Sequence, residues 1–120
     1  MKRDHRDFVD DMHQAISDIE SFTEGMDRDS FLRDKKTINA VVRSLEVLGE
    51  AARNIPEAVR QKYPSIPWKN IMGMRNKLIH EYFGVDVSMV WETIRTDLMP
   101  LKSLIAEMRT RESGQSGIIR

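Results

Sequence analysis

Eleven consecutive residues, Met74-Arg75-Asn76-Lys77-Leu78-Ile79-His80-Glu81-Tyr82-Phe83-Gly84, gather the side chains with which this chain could do chemistry. Arg75 is a permanent cation, His80 can move a proton near neutral pH, and Tyr82 offers a hydroxyl. Asn76 adds an amide beside the arginine. These are the parts needed to hold a phosphate and shuttle a proton next to it. An Arg-x4-His-x-Tyr pattern is short enough to arise by chance, and basic residues on a helix commonly form only a solvated face. Its weight therefore depends on the elements around it.

Five residues separate Arg75 from His80, so on a regular helix the two positions stand about 140° apart. One straight helix cannot converge them on a small site. Either the helix bends near Gly84, or a second surface completes the site. A two-fold dimer would bring two copies of the segment across one cleft.

The preceding chain reads as amphipathic helix. From about Asp4 to Thr23, Phe8, Met12, Ala15, Ile16, Ile19 and Phe22 recur every three or four residues, and Gly25 marks the end. Asp27 to Arg33 suits a short turn capped by Asp29 or Ser30. A long pattern from about Asp34 to Lys62 carries Ile38, Val41, Leu45, Leu48, Ala52 and Ile55, with Gly49 inside it and Pro56 expected to kink or divide it. Pro64 and Pro67 stop that pattern, and Pro67 suits the first position of the helix bearing the motif. Gly84 can end that helix and Asp86 can cap the next. Val87, Val90, Trp91, Ile94, Leu98, Leu101, Ile105 and Met108 then keep the helical period, with a kink or break expected at Pro100. No strand pattern or internal repeat is present. The expected fold is all-α, an antiparallel bundle of four to five helices, with one domain over residues 1–111 and a mobile tail over 112–120.

Composition narrows the function classes. A chain of 120 residues with 40% hydrophobic and 32% charged residues suits one globular domain. Lys+Arg and Asp+Glu both number 19, so any polyanion must be drawn by a local cluster rather than by a global field. No apolar run is long enough to span a bilayer and no signal-peptide pattern opens the chain, so the cytoplasm is the expected location. Zero cysteines exclude disulfide and thiolate chemistry.

Several short motifs stand in order along the chain: Asp34-x-x-Thr37, Arg43-Ser44-Leu45-Glu46-Val47-Leu48-Gly49-Glu50-Ala51, Tyr63-Pro64-x-Ile66-Pro67-Trp68, Gly73 through Gly84, Val90-Trp91-x-Thr93-Ile94, and Asp97-Leu98. In this arrangement the chain resembles the HepT-like family of HEPN-domain ribonuclease toxins, over about Asp4 to Met108. The resemblance implies an all-helical, dimeric nuclease that cuts RNA without a metal or cofactor. Transfer RNA and messenger RNA are the candidate substrates. It implies catalytic roles for Arg75 and His80, with Asn76 in support. It further implies that Tyr82 is modified with AMP by a partner, an MntA-type minimal nucleotidyltransferase acting as antitoxin.

Other residues compete for attention. Arg43, Glu46, Glu50 and Asn54 form a polar stripe, which on most helices is surface pairing worth a few tenths of a kcal/mol. Because the resemblance includes Arg43, Glu46 and Glu50, they are candidates for lining the cleft or a dimer seam. His5, Asp10 and His13 hint at a metal site, but Asp10-x-x-His13 is half of what a carboxylate-bridged bundle needs. Trp68 and Trp91 suit packing better than base stacking. An alternative to the nuclease is a non-catalytic helical dimer whose task is to bind the nucleotidyltransferase.

Overall fold

Asp4 opens the first helix, α1 (His5–Thr23), through a reciprocal cap: its carboxylate accepts from backbone amides of the first turn while the Asp7 side chain accepts from the Asp4 amide. The coordinates are a computed structural model that describes residues 3–81 and 87–115, leaving aside the side chains at 75, 77–81 and 115. Val9, Met12, Ala15, Ile16 and Ile19 form the buried stripe of α1, while Phe22 stays exposed in the last turn. Gly25 ends the element with a φ of 77°, a left-handed conformation that glycine adopts without a Cβ clash.

The short helix α2 (Arg28–Leu32) is capped by Asp27 rather than by Asp29 or Ser30. Ser30 donates its backbone N–H to Asp27 Oδ1 at 2.8 Å, and Ser30 Oγ accepts from the Asp27 amide at 3.0 Å. Asp34 caps α3 (Lys35–Arg53) in the same manner, accepting from the Thr37 amide at 3.0 Å and its hydroxyl at 2.8 Å. The expected helix from Asp34 to Lys62 is cut short. It stops at Arg53, and Pro56, which has no N–H to donate, opens the single turn α4 (Glu57–Arg60). Pro67 stands just before α5 (Trp68–Glu81), not inside it, its carbonyl accepting from the Ile71 amide at 3.1 Å.

The break expected at Pro100 falls three residues earlier, at Asp97, between α6 (Val87–Thr96) and α7 (Leu98–Gln115). Pro100 then sits in the first turn of α7, where a missing N–H leaves no helical hydrogen bond unmade. The expected tail is corrected as well. α7 runs on to Gln115, and Glu112 is only 3% exposed. Gly84 and Asp86, expected to end α5 and cap α6, lie outside the described residues.

All the described elements are helical, which makes the fold all-α and HEPN-like. α3 is the central helix, packed against α1, α2 and α5, while α7 lies along α1 and α6. One continuous core joins them through Met12, Ile16, Phe31, Leu48, Trp91 and Ile105. Phe31 and Trp91 stack with ring centroids 5.2 Å apart, tying α2 to α6. No helix among the described residues is long and apolar enough to cross a membrane.

Candidate functional site on helix α5

The start of α5 is held more firmly than a helix end needs. The Trp68 indole N–H is shared between the carbonyls of Arg60, at 3.1 Å, and Tyr63, at 3.0 Å. Arg60 reaches back from α4 to the Ile55 carbonyl at 3.0 Å and lies 3.1 Å from Met72 Sδ. Ile71 is buried, while Met72 and Met74 are half-buried against the core. The buried flank of α5 packs on α3 and leaves Lys69, Asn70, Gly73 and Asn76 exposed on the other side.

The loop that delivers α5 is pinned from a distance by Glu112. The Tyr63 hydroxyl donates to Glu112 Oε2, His5 Nε2 lies 2.8 Å from Oε1, and Lys62 Nζ lies 3.1 Å from Oε2. Arg111 stacks over the Tyr63 ring with 5.2 Å to its centroid. Burial pushes the Glu112 carboxyl up, but hydrogen bonds from Tyr63, His5 and Lys62 outweigh it and hold the group at about 2. Burial and the hydrogen bond to Glu112 push the Tyr63 phenol up to about 12. The carboxylate is thus ionised, the phenol neutral, and the clasp closed across the neutral range.

Sequence reasoning missed Glu112, although a signal was present. Leu101, Ile105 and Met108 set an apolar stripe on α7, and Glu112 takes the next step of the same spacing. A carboxylate there must be buried with partners or end the packed surface.

Of the residues expected in the site, Arg75, Asn76 and His80 all fall within α5. Asn76 is exposed, and the side-chain placements of Arg75 and His80 lie outside the description. Tyr82 lies outside the described residues. Arg43, Glu46 and Glu50 line a groove of about 270 Å³ between α1 and α3, together with Arg3, Phe8 and Asp11. Arg43 pairs with Glu46 at 3.7 Å. That groove is on the far side of α3 from α5. Leu45 and Leu48, which line a second hollow of about 330 Å³ with Ile71 and Met74, stand about half a turn away from the stripe. Among the described residues of one chain, therefore, the stripe and the motif helix line separate hollows.

Asp10 and His5 are used elsewhere: Asp10 pairs with Arg109 at 2.8 Å, and His5 with Glu112. Trp91 is buried and Trp68 half-buried, in packing roles.

An all-helical bundle that carries an Arg-Asn-x3-His segment within one of its helices defines the class of HEPN-like helical nucleases. Within that class the chain belongs to the HepT-like ribonuclease family, whose profile, described as "Ribonuclease HepT-like", matches residues 12–108. It is 47% identical over 109 residues to "Probable ribonuclease HepT" of Thermococcus cleftensis, an overlap covering 91% of this chain and 99% of the relative. A protein of Methanocaldococcus jannaschii that carries an RNase name is 48% identical over 101 residues, 84% of this chain and 87% of its own length. Another so named, from Caldanaerobacter subterraneus, is 38% identical over 107 residues, 89% of this chain and 96% of its own. No solved structure matches this chain. The activity class is that of an endoribonuclease.

Proposed function

We propose that this chain is the toxin of a toxin–antitoxin pair, a cytoplasmic endoribonuclease that cuts RNA without a metal ion. In this reading two copies form the cleft in which Arg75 and His80 act, with Asn76 in support. The observation that carries it is that the family match over residues 12–108 takes in the whole Arg75-to-Tyr82 segment, of which Arg75 to Glu81 fall in α5, a helix that leaves Lys69, Asn70, Gly73 and Asn76 open to solvent.

RNA brings its own nucleophile, the ribose 2′-hydroxyl, so the protein has to position, neutralise charge and transfer protons. His80 takes the 2′-hydroxyl proton as the oxygen attacks phosphorus, or returns a proton to the departing 5′-oxygen. Such a role is worth about 10²–10⁴-fold. Arg75 meets the charge that builds on the phosphate oxygens with a planar fork of donors that lysine lacks. The P–O5′ bond breaks as the P–O2′ bond forms, leaving a 2′,3′-cyclic phosphate and a 5′-hydroxyl. Neither step calls for a metal or a bound cofactor.

Tyr82 stands two residues from His80, so an AMP group on its hydroxyl would set a bulky anion beside the phosphate site and silence it. The agent of that modification in this reading is an MntA-type nucleotidyltransferase serving as antitoxin. Incubating the pure protein with labelled transfer RNA in EDTA tests the catalytic claim. Cleavage that persists in the chelator and disappears in His80→Ala is expected. A strict requirement for added Mg²⁺ would remove the mechanism. Intact RNA and unaffected growth, together with tight binding to the nucleotidyltransferase, would favour a docking module instead.

A further inference from the structure

Gly73 sits in the interior of α5 and none of the described packing explains it. A methyl group added there would meet no atom within 4 Å, and the residue is exposed. Glycine in a helix interior costs about 1 kcal/mol relative to alanine. The other glycines with open space have local reasons: Gly25 needs its positive φ, and Gly114 lies in the last turn of α7. Nothing among the described residues accounts for Gly73; a surface that approaches the helix closer than a Cβ allows would.

The residues around Gly73 indicate which surface. Helical register places positions 69, 73, 76, 77 and 80 along one side of α5, with 70 at its edge. Those positions hold Lys69, Gly73, Asn76, Lys77, His80 and Asn70. No acid occurs among them, and the one acid in α5, Glu81, lies just past the Asn70 edge. Among the described residues the exposed large hydrophobics are Phe22, Met89 and Met99, all on other helices. A crossing between two protein helices at a glycine needs apolar neighbours to bury. The exposed Lys69 ammonium and the Asn70 and Asn76 amides, with bare backbone at Gly73 between them, suit phosphate and ribose instead.

We infer that the outward face of α5 is a track for the RNA backbone, with Gly73 giving room for its closest approach and Lys69, about 16 Å along the axis from His80, meeting a phosphate two or more nucleotides from the scissile one. The inference rests on Arg75 and His80 being the catalytic pair, and it adds two positioning residues that touch no reacting atom. Gly73 sets how near the strand lies to α5, and Lys69 sets its register along the helix.

The test uses the full chain and a labelled single-stranded oligoribonucleotide in EDTA. Gly73→Ala should unfold at the same or a higher temperature than the parent, because alanine is the better helix former. Its kcat/KM should nevertheless fall about tenfold, from displacement of the strand. In a His80→Ala background, binding followed by fluorescence anisotropy should lose about 0.7 of its log–log salt slope when Lys69 becomes alanine, the share of one phosphate contact on a single strand. Parent-like cleavage by Gly73→Ala, or an unchanged salt slope in Lys69→Ala, would overturn the inference. So would a change of oligomeric state in Gly73→Ala by sedimentation, which would make the face a seam between copies. A parent that cuts RNA while both variants match it sinks this inference alone. A parent that cuts nothing sinks the catalytic reading, and the binding arm still decides the track.

Discussion

Replacing Glu112 by glutamine removes one negative charge from a place where three elements meet: the start of α1 through His5, the loop before α5 through Lys62 and Tyr63, and the end of α7. The carboxyl is held at about 2 against an ordinary value of 4.5, which corresponds to about 3 kcal/mol of extra stability at neutral pH. Glutamine keeps the shape and one acceptor oxygen, while its NH2 must face either His5 or the Tyr63–Lys62 side, so the loss reads the charge together with the hydrogen bonds it accepts there. For a chain of 120 residues that predicts a fall in Tm of roughly 10 °C. The sign of the pH dependence follows from the depressed value. The stabilisation is fully present above the unfolded carboxyl's own pKa and is lost as pH falls towards about 2. Urea unfolding of parent and Glu112→Gln should therefore differ by about 3 kcal/mol at pH 7 and by only about 1 kcal/mol at pH 3. Equal stability at pH 7, or the same gap at both pH values, would refute the reasoning. It would mean that the clasp gains no more from the charge than it loses by burying it.

Two further outcomes are expected. Phe31→Ala, at a fully buried position stacked on Trp91, should cost about 3–5 kcal/mol in denaturant unfolding, because the cavity opens between α2 and α6 where few other contacts can close it. Tyr82→Phe, in cells that also make the nucleotidyltransferase, should remain toxic, since no phenolic oxygen is left to carry AMP; a Tyr82→Phe protein that the partner still silences would undo the regulatory claim.

The local parts of this protein were legible in its sequence. Asp34-x-x-Thr37 announces a cap, and Asp34 accepts from both Thr37 donors. The three/four spacing of Val41, Leu45, Leu48 and Ala52 announces the buried side of α3, and those residues are buried. Pro56 and the Pro64–Pro67 pair announce the interruptions on either side of α4. The ordered motifs, the Arg75-to-Tyr82 segment among them, announce the family, and the family match bears that resemblance out. All of these are encoded within one or two turns, where neighbours in the chain are neighbours in space.

Tertiary structure decided what depends on distant partners. Glu112 looked like the start of a polar tail because its immediate neighbours Arg111 and Ser113 are polar, yet His5 lies 107 residues away in the chain and Tyr63 lies 49 away. The break between α6 and α7 moved to Asp97 because a proline in a helix's first turn forfeits no hydrogen bond, so Pro100 did not have to be the hinge. Arg43, Glu46 and Glu50 fell on the α1 side of α3 because Leu45 and Leu48, half a turn round, claim the side towards α5. Helical period states which residues share a face. Only packing states which face meets which neighbour, because burial of that face is shared between elements far apart in the chain.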